Sequence, residues 1–426
     1  MRIAVIGAGI VGVTSAYELA AAGHEVTVFE QGGSVAAEAS FAHAGLDGPG
    51  SAVAWSPLSV TGSLLGLALR GRLPAALALS ARPATCAWTL RWLSANRASA
   101  QALLRQRLHH LASYSRERAV ELTRVLHLEF ERSNGVLIVS RNATEAQSVQ
   151  PALAALDELG VRFHQLSPEQ CLSVEPGLNP DARLHSGVHL PDEGASNCRE
   201  FAHLMRQQAQ RHGTRFVFNA KVLAIHPGTL PELTVSLEDT ASGVRQVRER
   251  FDAVLVCAAL GSCRLLSPLG VKLPMIGVHG HSVTAPLRLD EVHPHVGPNS
   301  VLLDPRNRVA INRAGTRVRV SGGPLVGRMS RSSTATALRQ LYQALDEWFP
   351  GASRVGQARH WQAASPTLPD GLPVIGPSGV DGVWLNLGHS SVGWTLSCGS
   401  AQVLTAMMGG VPADIDTEGL GAERFR

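Results

Sequence analysis

Residues 3–30 read IAVIGAGIVGVTSAYELAAAGHEVTVFE, and the order inside this stretch decides the fold. By apolarity alone, Ile3 to Ala22 has the look of a membrane helix or of the core of a secretion signal. Its punctuation argues otherwise. Ile3, Ala4, Val5 and Ile6 form a short apolar run suited to a buried strand, which stops at Gly7, Gly9 and Gly12. That G-x-G-x-x-G spacing opens a helical pattern carrying Glu18, Gly23 ends the helix, and His24 to Phe29 reads as a second buried strand followed by Glu30. Such an order suits a pyrophosphate lying against backbone N–H groups at a helix N-terminus, where side chains would block it. Gly7 supplies the tight turn, Gly9 lets the backbone approach the phosphates, and Gly12 lets the helix close onto the strand. An acidic Glu30 favours a free ribose hydroxyl over a 2′-phosphate. The stretch is therefore read as a dinucleotide-binding strand–helix–strand unit.

The chain has 426 residues, which suggests two domains. Hydrophobic residues make up 45% and charged residues 17%, the balance of a soluble globular enzyme. The net charge of +4 comes from scattered residues, all of the basic ones except Lys221 and Lys272 being arginine, so no nucleic-acid footprint is expected. Six cysteines stand singly, at 86, 171, 198, 257, 263 and 398, a pattern of reduced thiols with neither a disulfide framework nor a metal site. Because the first strand begins at Ile3, no room is seen for a cleavable leader, and a cytoplasmic location is expected.

Further along, a polar loop (residues 31–50) leads into an Ala/Leu/Arg-rich stretch, Ser63 to Val125, read as several helices with Trp88 and Trp92 packed on one face. Within it, GSLLGLALRGRLPAALALS (62–80) is read as a surface helix pair, with a shallow element peripheral to the inner face of the membrane as the alternative. GVLIVS (135–140) is a strand, and HSGVHLPDEGASNCREF (185–201) an extended run, a turn and a helix start. FDAVLVCAALGS (251–262) is a buried strand that breaks at small residues. Short alternating strands fill Pro274 to Val320, with an amphipathic helix at LRQLYQALDEWF (338–349). The last block returns to strand, glycine loop and helix, as though completing the first domain.

Several of these motifs, in this order, resemble the FAD-dependent D-amino-acid dehydrogenase (small subunit) family, within the D-amino-acid oxidase and glycine oxidase group. They are the opening unit, EASFAHAGL (38–46), LPDEGASNCREF (190–201), VLVCAALGS (254–262), PDGLPVIG (369–376) and WLNLGHSSVGWTLSCGS (384–400). The resemblance implies an α/β fold. A Rossmann-like FAD-binding domain, discontinuous in sequence (1–50, 150–272, 355–426), carries an α+β substrate domain on a mostly antiparallel sheet (51–149, 273–354). It implies non-covalent FAD held by Gly7, Gly9, Ile10, Val11, Gly12, Glu30 and Gln31, with Ser40, Ala44 and Gly45 beside the flavin. Val222 falls where adenine meets backbone, and Ala259 and Gly261 where a strand end passes the cofactor. Gly388, His389, Val392, Gly393, Trp394 and Thr395 match the segment bordering the flavin pyrimidine. The implied reaction is hydride transfer from a substrate Cα to flavin, leaving an imine that hydrolyses to a keto acid and ammonia. No acid or base is assigned, since orientation and electrostatics are what such a step asks of the protein.

Departures from the family pattern fall near the substrate. His43 stands where Asn is usual, and His279, Gly280 and His281 where a Lys-Gly-Tyr-like element is usual. Ser365 stands where an arginine ordinarily binds the substrate carboxylate; Arg313 is the expected replacement. His43, His279, His281, Arg313 and Ser365 are thus the candidate substrate residues. The expected substrate is an amine other than simple D-alanine, and the expected acceptor a quinone or similar oxidant. Two alternatives stay open: an oxygen-using oxidase of the glycine or sarcosine type, and a flavin-binding subunit without turnover.

Overall fold

The computed structural model describes residues 1–55, 76–77, 83–239, 243–289, 296–326 and 329–425. Of the apolar segment 62–80, only Ala76 and Leu77 fall among them. No helix among the described residues is long and apolar enough to cross a membrane.

The opening strand β1 (Arg2–Ile6) lies inside a six-stranded sheet. Its neighbours on one side are β2 (Glu25–Phe29) and β7 (Arg215–Val217), and on the other β11 (Ala253–Val256), β18 (Val383–Leu387) and β17 (Val374–Pro377). All pairs are parallel except β17 with β18. Both faces of β1 are buried, as a central parallel strand requires. Ile3 and Val5 face three helices, Ile10–Ala21, Cys198–Arg211 and Gly393–Met408. Ala4 and Ile6 face a three-stranded antiparallel sheet of β8 (Ala220–His226), β9 (Glu232–Asp239) and β10 (Gly243–Arg250). Thr14 donates to the Ser397 carbonyl, tying the first and last helices together.

The second body is a nine-stranded, mostly antiparallel sheet. Its order is β16 (Arg359–Thr367), β12 (Ile276–Pro286), β15 (Arg317–Val326), β14 (Val309–Ala314), β13 (Val301–Asp304), β4 (Arg132–Ser140), β6 (Ser186–Ser196) and β5 (His164–Leu166), with β3 (Ala76–Leu77) added beside β15. The helix Arg331–Trp348 lies on one face, packing Leu341, Leu345 and Trp348 against Val283, Ile311, Val318 and Val320. Beneath it Arg141 grips Asp304 with both terminal nitrogens, at 3.0 and 2.6 Å, and Glu347 through Nε at 2.6 Å. Trp88 and Trp92 stack with centroids 6.2 Å apart, and the Trp88 indole donates to the Thr367 carbonyl.

β5, β6 and β16 belong to this large sheet, although the sequence reading drew 150–272 and 355–426 into the cofactor domain. The segment 185–201, expected to turn before its helix, instead runs as one strand, β6, from Ser186 to Ser196. Asn134 pairs with Gly194 and Val136 with Leu190, so Pro191 sits opposite an irregularity where no ladder N–H is called for.

Candidate flavin and substrate site

The nucleotide end is built from backbone. Gly7, at φ +103°, donates its N–H to the Phe29 carbonyl at 2.8 Å, and a Cβ there would come 2.7 Å from the Cys257 carbonyl oxygen. At Gly12 a Cβ would come 2.0 Å from the Gly7 oxygen. Gly9 differs: a Cβ would meet only Ser40 Oγ, at 3.7 Å, so the space in front of it is open. Gly9 is the N-cap of the helix Ile10–Ala21 and offers no side-chain cap; the buried Ile10 donates its N–H to Ser40 Oγ at 3.2 Å, and Val11 packs against the core. An uncapped helix start beside a side-chain-free approach is what a pyrophosphate needs. Glu30 is held by the Ala8 and Gly32 N–H groups, both at 2.7 Å, which leaves lone pairs on each oxygen for ribose hydroxyls. Gln31 is exposed next to it, and Val222 is buried in β8, which follows directly on the chain joined to Glu30 by the Ala220 N–H. At the end of β11, Ala259 takes φ +46° and opens a short 3-10 turn closed by Gly261.

At the opposite end, β18 runs into Gly388 at φ +81° and Ser390 at φ +53°, and the helix Gly393–Met408 begins after Val392 with no side-chain cap. Trp394 donates its indole N–H to Ser196 Oγ at 3.1 Å and Thr395 its hydroxyl to the Leu46 carbonyl at 2.9 Å. The free N–H groups of this helix start, with the positive end of its dipole, suit the electron-rich pyrimidine edge of a flavin. His389 is buried against Ser400 Oγ at 3.1 Å, and burial pushes its pKa down to about 3, so the ring is neutral.

The loop between these ends carries Ser40 to Leu46. Gly45, at φ +84°, pairs with Ser196 and presses so close that a Cβ would lie 2.6 Å from the Ser196 oxygen, while Ala44 packs at the edge of the core below. His43 accepts the Gly45 N–H at Nδ1, 3.0 Å, and reaches the Ser391 carbonyl with Nε2 at 2.8 Å. A carbonyl cannot donate, so the proton resides on Nε2, and burial together with the Arg319 charge lowers the ring's pKa. With both nitrogens engaged, the His43 ring is a brace for the loop and is turned toward Ser391 rather than toward the sheet.

Behind this loop, Ser196 Oγ in turn donates to Asp47 at 2.6 Å. Asp47 lines a cleft of about 260 Å³ with Arg116, Arg132, Glu193 and Trp394.

The large sheet presents to the loop the face opposite the helix Arg331–Trp348. Trp361 stacks on Phe41 at 4.1 Å and donates to the Glu38 carbonyl, and the Arg199 guanidinium lies 4.0 Å from the centre of the Phe41 ring. Ser365, paired with Val278, is on the same side of β16 as Trp361, four residues on. The expected Arg313 and His281 are not on this face. Arg313 pairs with Val318, whose side chain belongs to the core under the helix, and its guanidinium bonds Gly315 and Asn299. His281 is buried beside Gly323 and Ala337 of that helix, and His279 shares its side of the ladder; burial lowers both rings' pKa. Strand alternation sent these three side chains the other way.

One residue on the loop-facing side was absent from the sequence reading. Arg319, 7% exposed, donates Nη1 to the His43 carbonyl at 3.1 Å and Nε to Thr284 Oγ1 at 3.2 Å. Its cross-strand neighbour Asn312 and the next residue on its side, Ser321, are also buried. Polar residues at 312, 319 and 321, on one side of a strand pair whose other charged residues are Arg313 and Arg317, were the available signal.

The comparisons with known proteins agree with this geometry. The model of the FAD dependent oxidoreductase family matches residues 2–407. A D-amino acid dehydrogenase of Rhizorhabdus wittichii is 34% identical, with all of both chains covered, and one of Cereibacter sphaeroides 35% identical, covering all of this chain and 95% of its own. Among solved structures, glycine oxidase from Geobacillus kaustophilus superposes with a TM-score of 0.73 at 19% identity, covering 99% of this chain and 98% of that one. Fold, cradle and full-length relatives coincide: this chain belongs to the FAD-dependent oxidoreductase family.

Proposed function

We propose that the protein oxidises the carbon–nitrogen bond of a D-amino acid or related amine and passes the electrons to a quinone or similar acceptor. The observation that carries the reading is the cradle itself: open backbone at Gly9, beside it a carboxylate at Glu30 with lone pairs to spare, and an uncapped helix start at Gly393, the two helix starts both bonded to the loop Ser40–Leu46. Full-length relatives named D-amino acid dehydrogenase support the substrate class and the use of an acceptor other than oxygen. When bound there, FAD supplies the hydride acceptor. Gly9 and the first helix start hold its phosphates, Glu30 its ribose, and the helix Gly393–Met408 the pyrimidine edge. His43 fixes the loop through Gly45 and Ser391, so the surface beneath the substrate is set before binding. The sheet, pinned to that loop by the Phe41–Trp361 stack, covers the substrate and keeps water from it.

The test is the visible spectrum of the purified protein, followed by an anaerobic screen of D-amino acids and secondary amines. Loss of flavin absorbance with a member of the panel is expected, and reoxidation faster by a quinone or dye than by air. A yellow protein that no amine bleaches would mark a flavin-binding subunit, and stoichiometric peroxide in air an oxidase.

A further inference from the structure

Arg319 is a guanidinium, charged at every working pH, buried in the sheet face that looks toward the loop Ser40–Leu46. Its hydrogen-bond partners are a carbonyl and a hydroxyl, both neutral. Among the described residues no carboxylate forms an ion pair with it. Glu131, whose charge acts on it, already accepts from Arg317 with both oxygens at 3.0 Å and from Asn197 at 2.8 Å. Beside Arg319, two buried polar atoms have no partner, Asn312 Oδ1 and Ser321 Oγ. Asn312 is directly opposite Arg319 on β14, and Ser321 follows two residues later on β15, so all three point from one face. A buried cation without a counter-ion and two unmet polar atoms are each costly in a finished protein. Together they describe half of a binding site: a cation and a hydroxyl for an anion, and an amide oxygen for a donor next to it.

From this juxtaposition we propose that Arg319 binds the carboxylate of the amine substrate, with Ser321 donating to the same group and Asn312 Oδ1 accepting from the adjacent amine. The assignment rests on the amine-oxidising reading given above and places the anchor where the family resemblance does not. Ser365 is opposite Val278 and Arg319 opposite Thr284 of the same strand, six residues apart. At about 3.4 Å per residue that is roughly 20 Å between backbones. The charge therefore enters the pocket from the other end of the sheet, and a serine at 365 leaves no unmet need.

The probe is α-methylphenylalanine, which has the amine and carboxylate but no hydrogen on Cα to transfer, compared with its amide. Each is titrated into the FAD-loaded protein, and the flavin spectrum is followed. The acid should bind at least tenfold more tightly than the amide, Arg319→Met should erase that preference, and Arg319→Lys should keep part of it. Ser321→Ala should weaken the acid about threefold. An Arg319→Met protein that retains the wild-type preference for the acid overturns the proposal. If Arg319→Met does not fold, unchanged acid affinity in both Arg319→Lys and Ser321→Ala overturns it equally. Failure of the wild-type protein to take up FAD would instead strike the functional reading; the acid-against-amide comparison is then made by thermal shift of the apoprotein.

Discussion

The nucleotide cradle and the sheet face across from it bury comparable chemistry by opposite means. In the cradle, contacts are made by backbone and the side chains are mostly missing: Gly7, Gly9 and Gly12 hold position because nothing projects from them. On the sheet face, chemistry is carried by side chains, Trp361 and Arg319 through contacts and Asn312 and Ser321 through unpartnered polar atoms, and the backbone only sets which way each one points. The first kind of site tolerates almost no change, whereas the second can be rebuilt by single substitutions. This is how one fold keeps its cofactor while the residues across from it change; of the departures at positions 43, 279, 281 and 365, Ser365 alone has its side chain on the loop-facing side of the sheet.

The largest effects are expected in the cradle, and the glycines there should separate folding from cofactor binding. Gly12→Val places a branched side chain against an oxygen 2.0 Å from its Cβ and should prevent folding, read as loss of soluble protein. Gly9→Val meets only Ser40 Oγ, at 3.7 Å, so that variant should fold and yet purify colourless, since its side chain fills the pyrophosphate position. A yellow Gly9→Val protein would show that phosphate does not lie there.

Next in size is the ion cluster under the large sheet. Burial alone would raise the Asp304 carboxyl, but Arg141, the Trp348 indole and the Asn307 N–H outweigh it and hold it below the usual range. Removing one partner of such a pair costs about 3–5 kcal/mol, so Arg141→Met should lower the unfolding midpoint sharply. A group depressed in the folded state stabilises above its unfolded pKa and loses that contribution as pH falls. His389 acts in the same direction, being held near 3 against an ordinary 6.5. Stability should therefore decline below about pH 6.5, with a slope near 1.4 kcal/mol per pH unit for each proton taken up. Urea midpoints measured from pH 8 to 4 check this, and a His389→Asn variant with an unchanged slope would remove His389 from the account.

A smaller change should sharpen the contrast at the substrate end. Ser365→Arg adds a guanidinium roughly 20 Å along the sheet from Arg319, and with the carboxylate already held at Arg319 the turnover of D-amino acids should change less than threefold. A tenfold or greater gain in Ser365→Arg would place the carboxylate at the 365 end of the sheet and break the assignment to Arg319. The smallest effect is at Ala259, which holds φ +46° where an L side chain is strained. Ala259→Gly should relieve roughly 0.5–1 kcal/mol, visible as a small rise in thermal midpoint, with FAD retained.

What was legible in the sequence was local. Strand, three glycines, helix, strand and acid lie within residues 3–30, and each has a steric or hydrogen-bonding reason that holds wherever the unit is placed. The burial of β1 on both faces could be read from its unbroken apolar run for the same reason. The membership of β6 in the large sheet could not, because Pro191 is harmless only opposite a ladder irregularity, and that irregularity belongs to the partner strand. The choice between Arg313 and Arg319 was beyond the sequence for a related reason. Both sit in strands buried on both faces, and alternation says that they point opposite ways without saying which way is the pocket. Only the packing of the helix Arg331–Trp348 on one side and of the loop Ser40–Leu46 on the other decided that, since a face acquires its function from what is laid against it.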